Sequence, residues 1–271
     1  LTVPLFFKKN GKLFNNLFHI SLDISLSGTS EYTGVVALEP VTSLPKAYLL
    51  SGTKSFPSNK IIKSEMFYSL VTMIIYSIVA LIIFKMYWLD YTLLYINISE
   101  KSVIYFILST ILLIIIHDLY FYVTHRLMHH RSIYQAVHSV HHISVNPTPW
   151  AAFSFHPIEA IVSIIWLPLI IMLIPFHIFS IGFWALYMML FNVIGHLGYE
   201  FFPQRFADRF IGGIFFTSLF HNIHHKTLSC NYGLYFILWD RLFGTINNSY
   251  KQIYNEFQQD IYQHRRLNVS E

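Results

Sequence analysis

The chain alternates long apolar stretches with shorter polar connections. Residues 67–84, FYSLVTMIIYSIVALIIF, are eighteen residues without a charge. As a helix rising ~1.5 Å per residue they span roughly the ~30 Å hydrocarbon layer of a bilayer. A link holding Lys85, Asp90, Glu100 and Lys101 leads to a second apolar segment, residues 103 to about 123, with His117 and Asp118 in its last turns. An aspartate at a bilayer centre costs ~2.5–3.5 kcal/mol on insertion scales, so near the end of a span Asp118 is expected to face protein or water. Third and fourth segments, 158–174 and 178–194, are joined by Pro175, Phe176 and His177, and no charged residue lies between Glu159 and Glu200. This pattern predicts an antiparallel helical hairpin. Pro168 is expected to kink its first arm, because proline lacks the N–H that an interior turn needs.

Residues 1–64 mix short apolar runs with Ser, Thr, Gly, Lys and Pro and keep no helical period, which predicts an irregular region in the cytosol or on the membrane surface. A membrane domain is expected over residues 65–250 and a polar tail over 251–271. The fold class is therefore an all-α membrane protein of about four transmembrane helices with a cytosolic, histidine-lined helical cap. Basic residues before the first span (Lys8 to Lys63), after the second (Arg126, Arg131) and after the fourth (Arg205 to Arg266) predict a multi-pass topology with both termini and the histidines on the cytosolic face. Residues 1–20 break their apolar runs with lysines and asparagines, unlike a secretory signal. The chain starts at Leu1 rather than methionine, which leaves room for an upstream piece.

Composition agrees with a membrane class: 54% of residues are hydrophobic and 12% charged, far from the balance of a soluble domain. The net charge of +4 comes without a basic run, so nucleic acid is not an expected partner. The single cysteine, Cys230, excludes an intrachain disulfide and any cysteine-rich zinc or iron–sulfur site; it is expected to be buried. Histidine, at 15, outnumbers the 14 carboxylates.

Those histidines fall in runs. Residues 125–142, HRLMHHRSIYQAVHSVHH, hold six, and residues 221–225 read HNIHH. Two imidazoles on a helix can share an ion only when three or four residues apart. His125 and His129 have that spacing, as do His138, His141 and His142, and again His221, His224 and His225. With His196, which ends the fourth segment beside Glu200, nine candidate ligands result. Zinc takes about four, so nine suggests two metals. A lone histidine is usually a cap or a surface residue, but two H-x-x-H-H runs and an H-x-x-x-H on one membrane face are not. All-imidazole sites suit Fe, Zn, Cu or Ni and argue against Mg or Ca; imidazole alone does not choose among the four.

The motifs HDLYFYVTHRLMHH (117–130), HSVHH (138–142), NPTPWAAFSFHPIE (146–159), GHLGYE (195–200), HNIHH (221–225), NYG (231–233) and WDRLFGT (239–245) closely resemble the fatty acid hydroxylase / sterol desaturase superfamily. The resemblance covers about residues 60–250. It implies a membrane-embedded non-haem di-iron oxidoreductase that uses O2 and two electrons to hydroxylate or desaturate a lipid, a sterol or a fatty acyl chain. The family's histidine boxes fall on His125 and His129, on His138, His141 and His142, and on His221, His224 and His225, with His196 as the additional ligand. Two iron ions are the implied cofactor. Electrons must come from a separate donor protein, since the chain has no haem-attachment or ferredoxin-like cysteine set.

His117, Asp118, His156, Glu200 and Asp240 are candidates for an extra ligand or for carboxylates holding a ring nitrogen. A pairing of Asp118 with Arg126 or another arginine, a pairing of Asp240 with a nearby basic residue, and bonds within the bundle for the two histidines are the competing expectations. His19, His177 and His264 are expected on the surface or in loops. Asn231, Tyr232 and Gly233 predict a turn with Gly233 at positive φ. The alternative function is a membrane metal transporter or metal-binding protein. It would want ionisable residues inside the spans, and the third and fourth have none away from their ends. A zinc hydrolase would want H-E-x-x-H or H-x-x-E-H, and neither is present.

Overall fold

The computed structural model describes residues 7–9, 12–14, 57–200, 202, 206, 213–256 and 259. The chain divides into two units, Leu1–Leu44 and Pro45–Glu271. Of the first, two antiparallel strands are described, β1 (Phe7–Lys9) and β2 (Lys12–Phe14), with Phe7 opposite Phe14. The rest of the stretch expected to be irregular, up to residue 56, lies outside the described residues, as does most of the expected polar tail; residues 250–256 are helical.

The second unit is all-α in its named elements, as the hydrophobic pattern implies. Helix α1 (Asn59–Trp88) is capped by the Ser58 side chain, which accepts from the Ile61 N–H at 3.4 Å. It starts eight residues before the uncharged run because Asn59 to Met66 add two helical turns to it. Almost all of α1 faces outward: its buried residues are Glu65, Ser69 and Thr72, spaced four and three apart. A helix apolar on every side cannot choose a face by hydrophobicity in a bilayer, so polar contacts decide which side turns inward. The Ser69 hydroxyl donates to the Trp150 carbonyl at 2.5 Å, and Tyr76 bonds Ser163 at 2.8 Å.

Helix α2 (Val103–Met128) is capped by Ser102 and buries Leu113, His117, Asp118, Tyr122, His125 and Met128 along one side. The hairpin is present, with a broken first arm. Helix α4 (Pro157–Ile164) and helix α5 (Trp166–Leu173) meet at Ile165, and helix α6 (Ile178–Gly195) returns. Pro168 has no N–H for the Ile164 carbonyl and its ring crowds that group, which explains a break one turn earlier. Among the described residues three helices, α1, α2 and α6, are long and apolar enough to cross a membrane; α4 with α5 is shorter.

The turn between α5 and α6 is held by the segment after α1. The Leu93 N–H donates to Ile171 O at 2.8 Å and the Tyr95 N–H to Phe176 O at 3.1 Å. His177 caps α6 and its Nε2 meets the Ile96 carbonyl at 2.6 Å, so this histidine, expected on the surface or in a loop, is a loop residue and is buried. Its ring satisfies two backbone groups that a tight turn would leave open.

The apolar core has two parts. Leu113, Trp166, Ile171, Phe176, Trp184, Met188 and Tyr235 fill the space between the long helices. Phe216, Phe220, Ile223, Cys230, Tyr250 and Tyr254 form a second core around helix α7 (Ser218–Thr227), which precedes helix α8 (Leu238–Leu242). The clustered histidines lie on α7, on the ends of α2 and α6, and in the segment that follows α2.

Candidate metal centre

His125 sits in the last turn of α2 and His129 caps it. Helix α3 (Tyr134–Val137) places His138 at its own C-terminus, and the following 3-10 turn carries His141 and His142. His196 caps α6, while His221, His224 and His225 occupy α7. The nine rings gather in two groups, with the ligating atoms of each within 4.8 Å of one another: His125, His129, His138, His142 and His224; and His141, His196, His221 and His225.

The grouping does not follow the order of the chain. His141 and His142 are neighbours yet join different groups, and so do His224 and His225. Successive helical residues point ~100° apart, whereas residues four apart point the same way. His221 and His225 therefore face one group and His224 the other. The groups adjoin: the rings of His142 and His225 are 4.5 Å apart between centroids, and those of His141 and His138 are 5.3 Å apart and stacked.

Every ring turns its Nε2 inward. In the five-histidine group, His125 to His138, His142 to His129 and His142 to His138 are each 3.1 Å apart between Nε2 atoms. His129 to His224 is 3.0 Å and His224 to His142 is 3.2 Å. In the four-histidine group, His221 to His196 is 3.0 Å, His225 to His221 is 3.1 Å and His196 to His141 is 3.4 Å.

The outer nitrogens of four rings show which proton those rings carry. His125 Nδ1 meets the Tyr232 carbonyl at 2.8 Å, His138 Nδ1 the Glu159 Oε1 at 2.7 Å, His196 Nδ1 the Asn192 carbonyl at 2.7 Å and His224 Nδ1 the Cys230 carbonyl at 2.7 Å. Carbonyls and carboxylates only accept, so each Nδ1–H donates and each Nε2 of a neutral ring is a bare lone pair. His125 and His138 thus oppose two lone pairs, an arrangement that repels unless a cation lies between them. Metal–nitrogen bonds of ~2.1 Å at right angles would put nitrogens ~3.0 Å apart. Tautomers, spacing and donor type all fit a metal of the first transition row.

Electrostatics agrees. Burial first, and then neighbouring rings, hold His138, His141, His142, His221 and His224 well below the ordinary histidine range; His225 is low for the same reasons. Burial and the His125 ring take His129 down to about 2, and burial takes His196 down to about 4. At neutral pH these rings are uncharged, the form that binds metal.

The five further candidates stand outside both groups. His117 bonds the Tyr235 hydroxyl at 2.7 Å through Nδ1 and stacks on Trp166 at 4.9 Å, inside the apolar core. His156 caps α4, its Nδ1 accepting from the Ile158 N–H at 3.3 Å. Glu200 accepts from the Leu219 N–H at 2.9 Å, in the first turn of α7. Among the described residues Asp118 and Asp240 hold no histidine ring nitrogen and form no salt bridge, although Arg126 lies near enough to Asp240 to favour its charged form. Asp118 accepts from the Tyr235 N–H at 2.8 Å and the Trp239 indole at 2.9 Å; Asp240 accepts from the Tyr232 and Gly233 N–H groups at 2.8 and 2.7 Å and from Thr245. Each buried carboxylate is satisfied by backbone donors of the loop after α7. That loop supplies the carbonyls of Cys230 and Tyr232 to His224 and His125, so the aspartates act one step further out.

The turn differs from expectation at Gly233. Positive φ falls on Leu228 and Asn231, and Gly233 is needed for space: a Cβ there would meet Phe236 O at 2.5 Å and Asp240 Oδ2 at 2.9 Å. Cys230 is buried, as expected.

Two carboxylates went unnoticed in the sequence. Glu159, in the first turn of α4, holds His138; its signal was its place three residues after His156 in the motif FHPIE. Glu65 on α1 accepts from Ser144 at 2.5 Å and from Thr148; a lone acid at the edge of an apolar run reads as a membrane flank.

A family model described as fatty acid hydroxylase matches residues 110–245. The chain is 35% identical over 155 residues to a Delta(7)-sterol 5(6)-desaturase of Gibberella zeae, covering 57% of this chain and 46% of that protein. It is 33% identical over 144 residues to the lathosterol oxidase of Homo sapiens, covering 52% and 46%. Methylsterol monooxygenase 1 of Gallus gallus is 31% identical over 133 residues, covering 48% and 43%. The chain spans about half the length of the curated relatives it matches. No solved structure matches.

Proposed function

The chain belongs to the fatty acid hydroxylase family, and from that premise we propose that it is a membrane-bound di-iron oxidoreductase that uses O2 and two electrons to hydroxylate or desaturate a lipid. The observation that carries this reading is the pair of adjoining groups of buried histidines, nine inward Nε2 atoms in all. One iron would be held by His125, His129, His138, His142 and His224, the other by His141, His196, His221 and His225. Iron bound there would supply the redox chemistry that oxidises an unactivated C–H bond, which acid–base side chains cannot do.

The chain's own residues do the rest. Glu159 and the carbonyls of Tyr232, Cys230 and Asn192 keep four rings in the tautomer that offers Nε2. Outer partners of this kind fix ring orientation and raise ligand basicity. Burial of every ring but His129 excludes bulk water. Apolar surface along α1, α2 and α6 stays exposed for lipid contact, Leu81 at 69% and Phe179 at 73%, as expected of helices that cross a bilayer several times. The flanking basic residues support a cytosolic face for the metals. A lipid dissolved in the bilayer would reach them from between the helices. Among lipids a sterol is favoured by the relatives, whose names are those of sterol oxidoreductases. Electrons would come from a separate donor protein.

The test is metal analysis joined to turnover. Purified chain is expected to carry two irons and to consume O2 when given a sterol and an electron donor. A single iron per chain overturns the di-iron assignment, and O2-independent chemistry overturns the reaction class.

A further inference from the structure

Glu65 lies on α1, outside the stretch that the family model matches. It is 1% exposed in a helix that otherwise turns apolar side chains outward. Its Oε1 accepts from the Ser144 hydroxyl at 2.5 Å and from the Thr148 N–H at 3.5 Å, and its Oε2 accepts from the Thr148 hydroxyl. Among the described residues these partners are neutral donors. A buried carboxylate without a cation is expensive, and it persists where several donors converge on it.

The segment it grips bears directly on both histidine groups. Ser144 follows His142 by two residues, and His141 and His142 divide between the groups. The Ser144 backbone also faces His225, whose Nδ1 does not reach hydrogen-bond geometry. No described hydrogen bond fixes the outer side of these rings, which otherwise meet Phe155 and Tyr134 by ring contact: the Nδ1 atoms of His141 and His142 are buried without a partner among the described residues. Their direction is set by the backbone that carries them, and that backbone is tied down at Ser144 and Thr148.

We propose that Glu65 is a positioning residue for the metal centre: through Ser144 and Thr148 it sets the direction in which His141 and His142 present Nε2 to the two groups. The first membrane helix then contributes to metal geometry without supplying a ligand. This inference rests on the histidine groups holding metal.

The test uses the full chain in lipid nanodiscs, stripped of metal and titrated anaerobically with ferrous iron while the ligand-field bands are recorded. Glu65→Gln keeps the shape and alters the grip. It is expected to weaken iron binding about tenfold, the lower end for outer-sphere partners, and to shift the bands. Ser144→Ala is expected to do the same and serves if Glu65→Gln fails to fold; the double variant should be no worse than Glu65→Gln alone. Ser69→Ala, one turn along the same face but bonded to the Trp150 carbonyl, should leave affinity and bands unchanged. Folded Glu65→Gln or Ser144→Ala with the parent's affinity and bands overturns the proposal. A parent that binds no iron overturns instead the reading on which it rests.

Discussion

The two histidine groups are alike in their inward atoms and unlike in what stands behind them. Three of five rings in the larger group, His125, His138 and His224, have their Nδ1 bonded to a carbonyl or carboxylate. In the smaller group only His196 does; the Nδ1 atoms of His141, His221 and His225 are buried with no partner among the described residues. The larger group is oriented mainly side chain by side chain, His142 excepted, and the smaller, His196 apart, by the backbone that carries it. Orientation by hydrogen bond resists ring rotation directly, whereas orientation by backbone relies on packing around the segment. The larger group should therefore respond to single changes behind its rings, and the smaller to changes in the fold beneath it.

The largest effect tests what the groups share. His224→Ala and His141→Ala, one in each, are expected to abolish lipid oxidation while the chain still inserts into membranes, because spans and histidines are separate features. Full activity in either variant removes that residue from the proposed ligands. A smaller effect separates the groups. Glu159→Ala, which strips His138 of its partner, should lower iron affinity about 10–100-fold, with the loss confined to one of two binding steps. Equal loss in both steps would show the groups to be one unit.

Next comes the loop behind His125 and His224. Gly233→Ala would press a Cβ against the Phe236 carbonyl and should destabilise the fold by about 1–3 kcal/mol, measured as a lower unfolding midpoint. Asp240→Asn should act in the same direction by disturbing the Tyr232 and Gly233 N–H bonds. An unchanged midpoint in both would deny the loop a supporting role.

The last effect, confined to acid, is again common to both groups. His129 and His196 are lowered to about 2 and about 4 from an ordinary value near ~6.5. Between those values and ~6.5 the unfolded chain binds protons that the folded chain refuses, so stability is full above ~6.5 and is lost as pH falls toward 4. Metal-free protein should show its melting temperature falling over that window. A flat profile would mean that the rings are less buried than the structure shows.

Much of this was legible in the residues. The second and fourth apolar segments became α2 and α6, and α6 lies within one residue of its expected limits. The histidine spacings were legible because three and four residues make a helical turn. Other features were not. The start of α1 was hidden because Lys60, Lys63 and Glu65 interrupt its apolar pattern. The duties of Asp118 and Asp240 were misread because a buried carboxylate near histidines suggests a ring nitrogen, while their donors, backbone N–H groups of one loop, are invisible in a list of side chains. Glu65 meets Ser144 across 79 positions, a separation that no local pattern reports.

By itself the sequence determined the helical class, its apolar spans and the spaced runs of histidines, since each follows from composition or from spacing along one helix, while the family entered through the resemblance of its motifs. Only the tertiary structure decided that His141 parts from His142 and His224 from His225, which rings are held from behind, and that Glu65 reaches the second histidine run. Those outcomes depend on how each helix is rotated about its axis and on what packs against it, and both are properties of contacts between distant segments rather than of any segment alone.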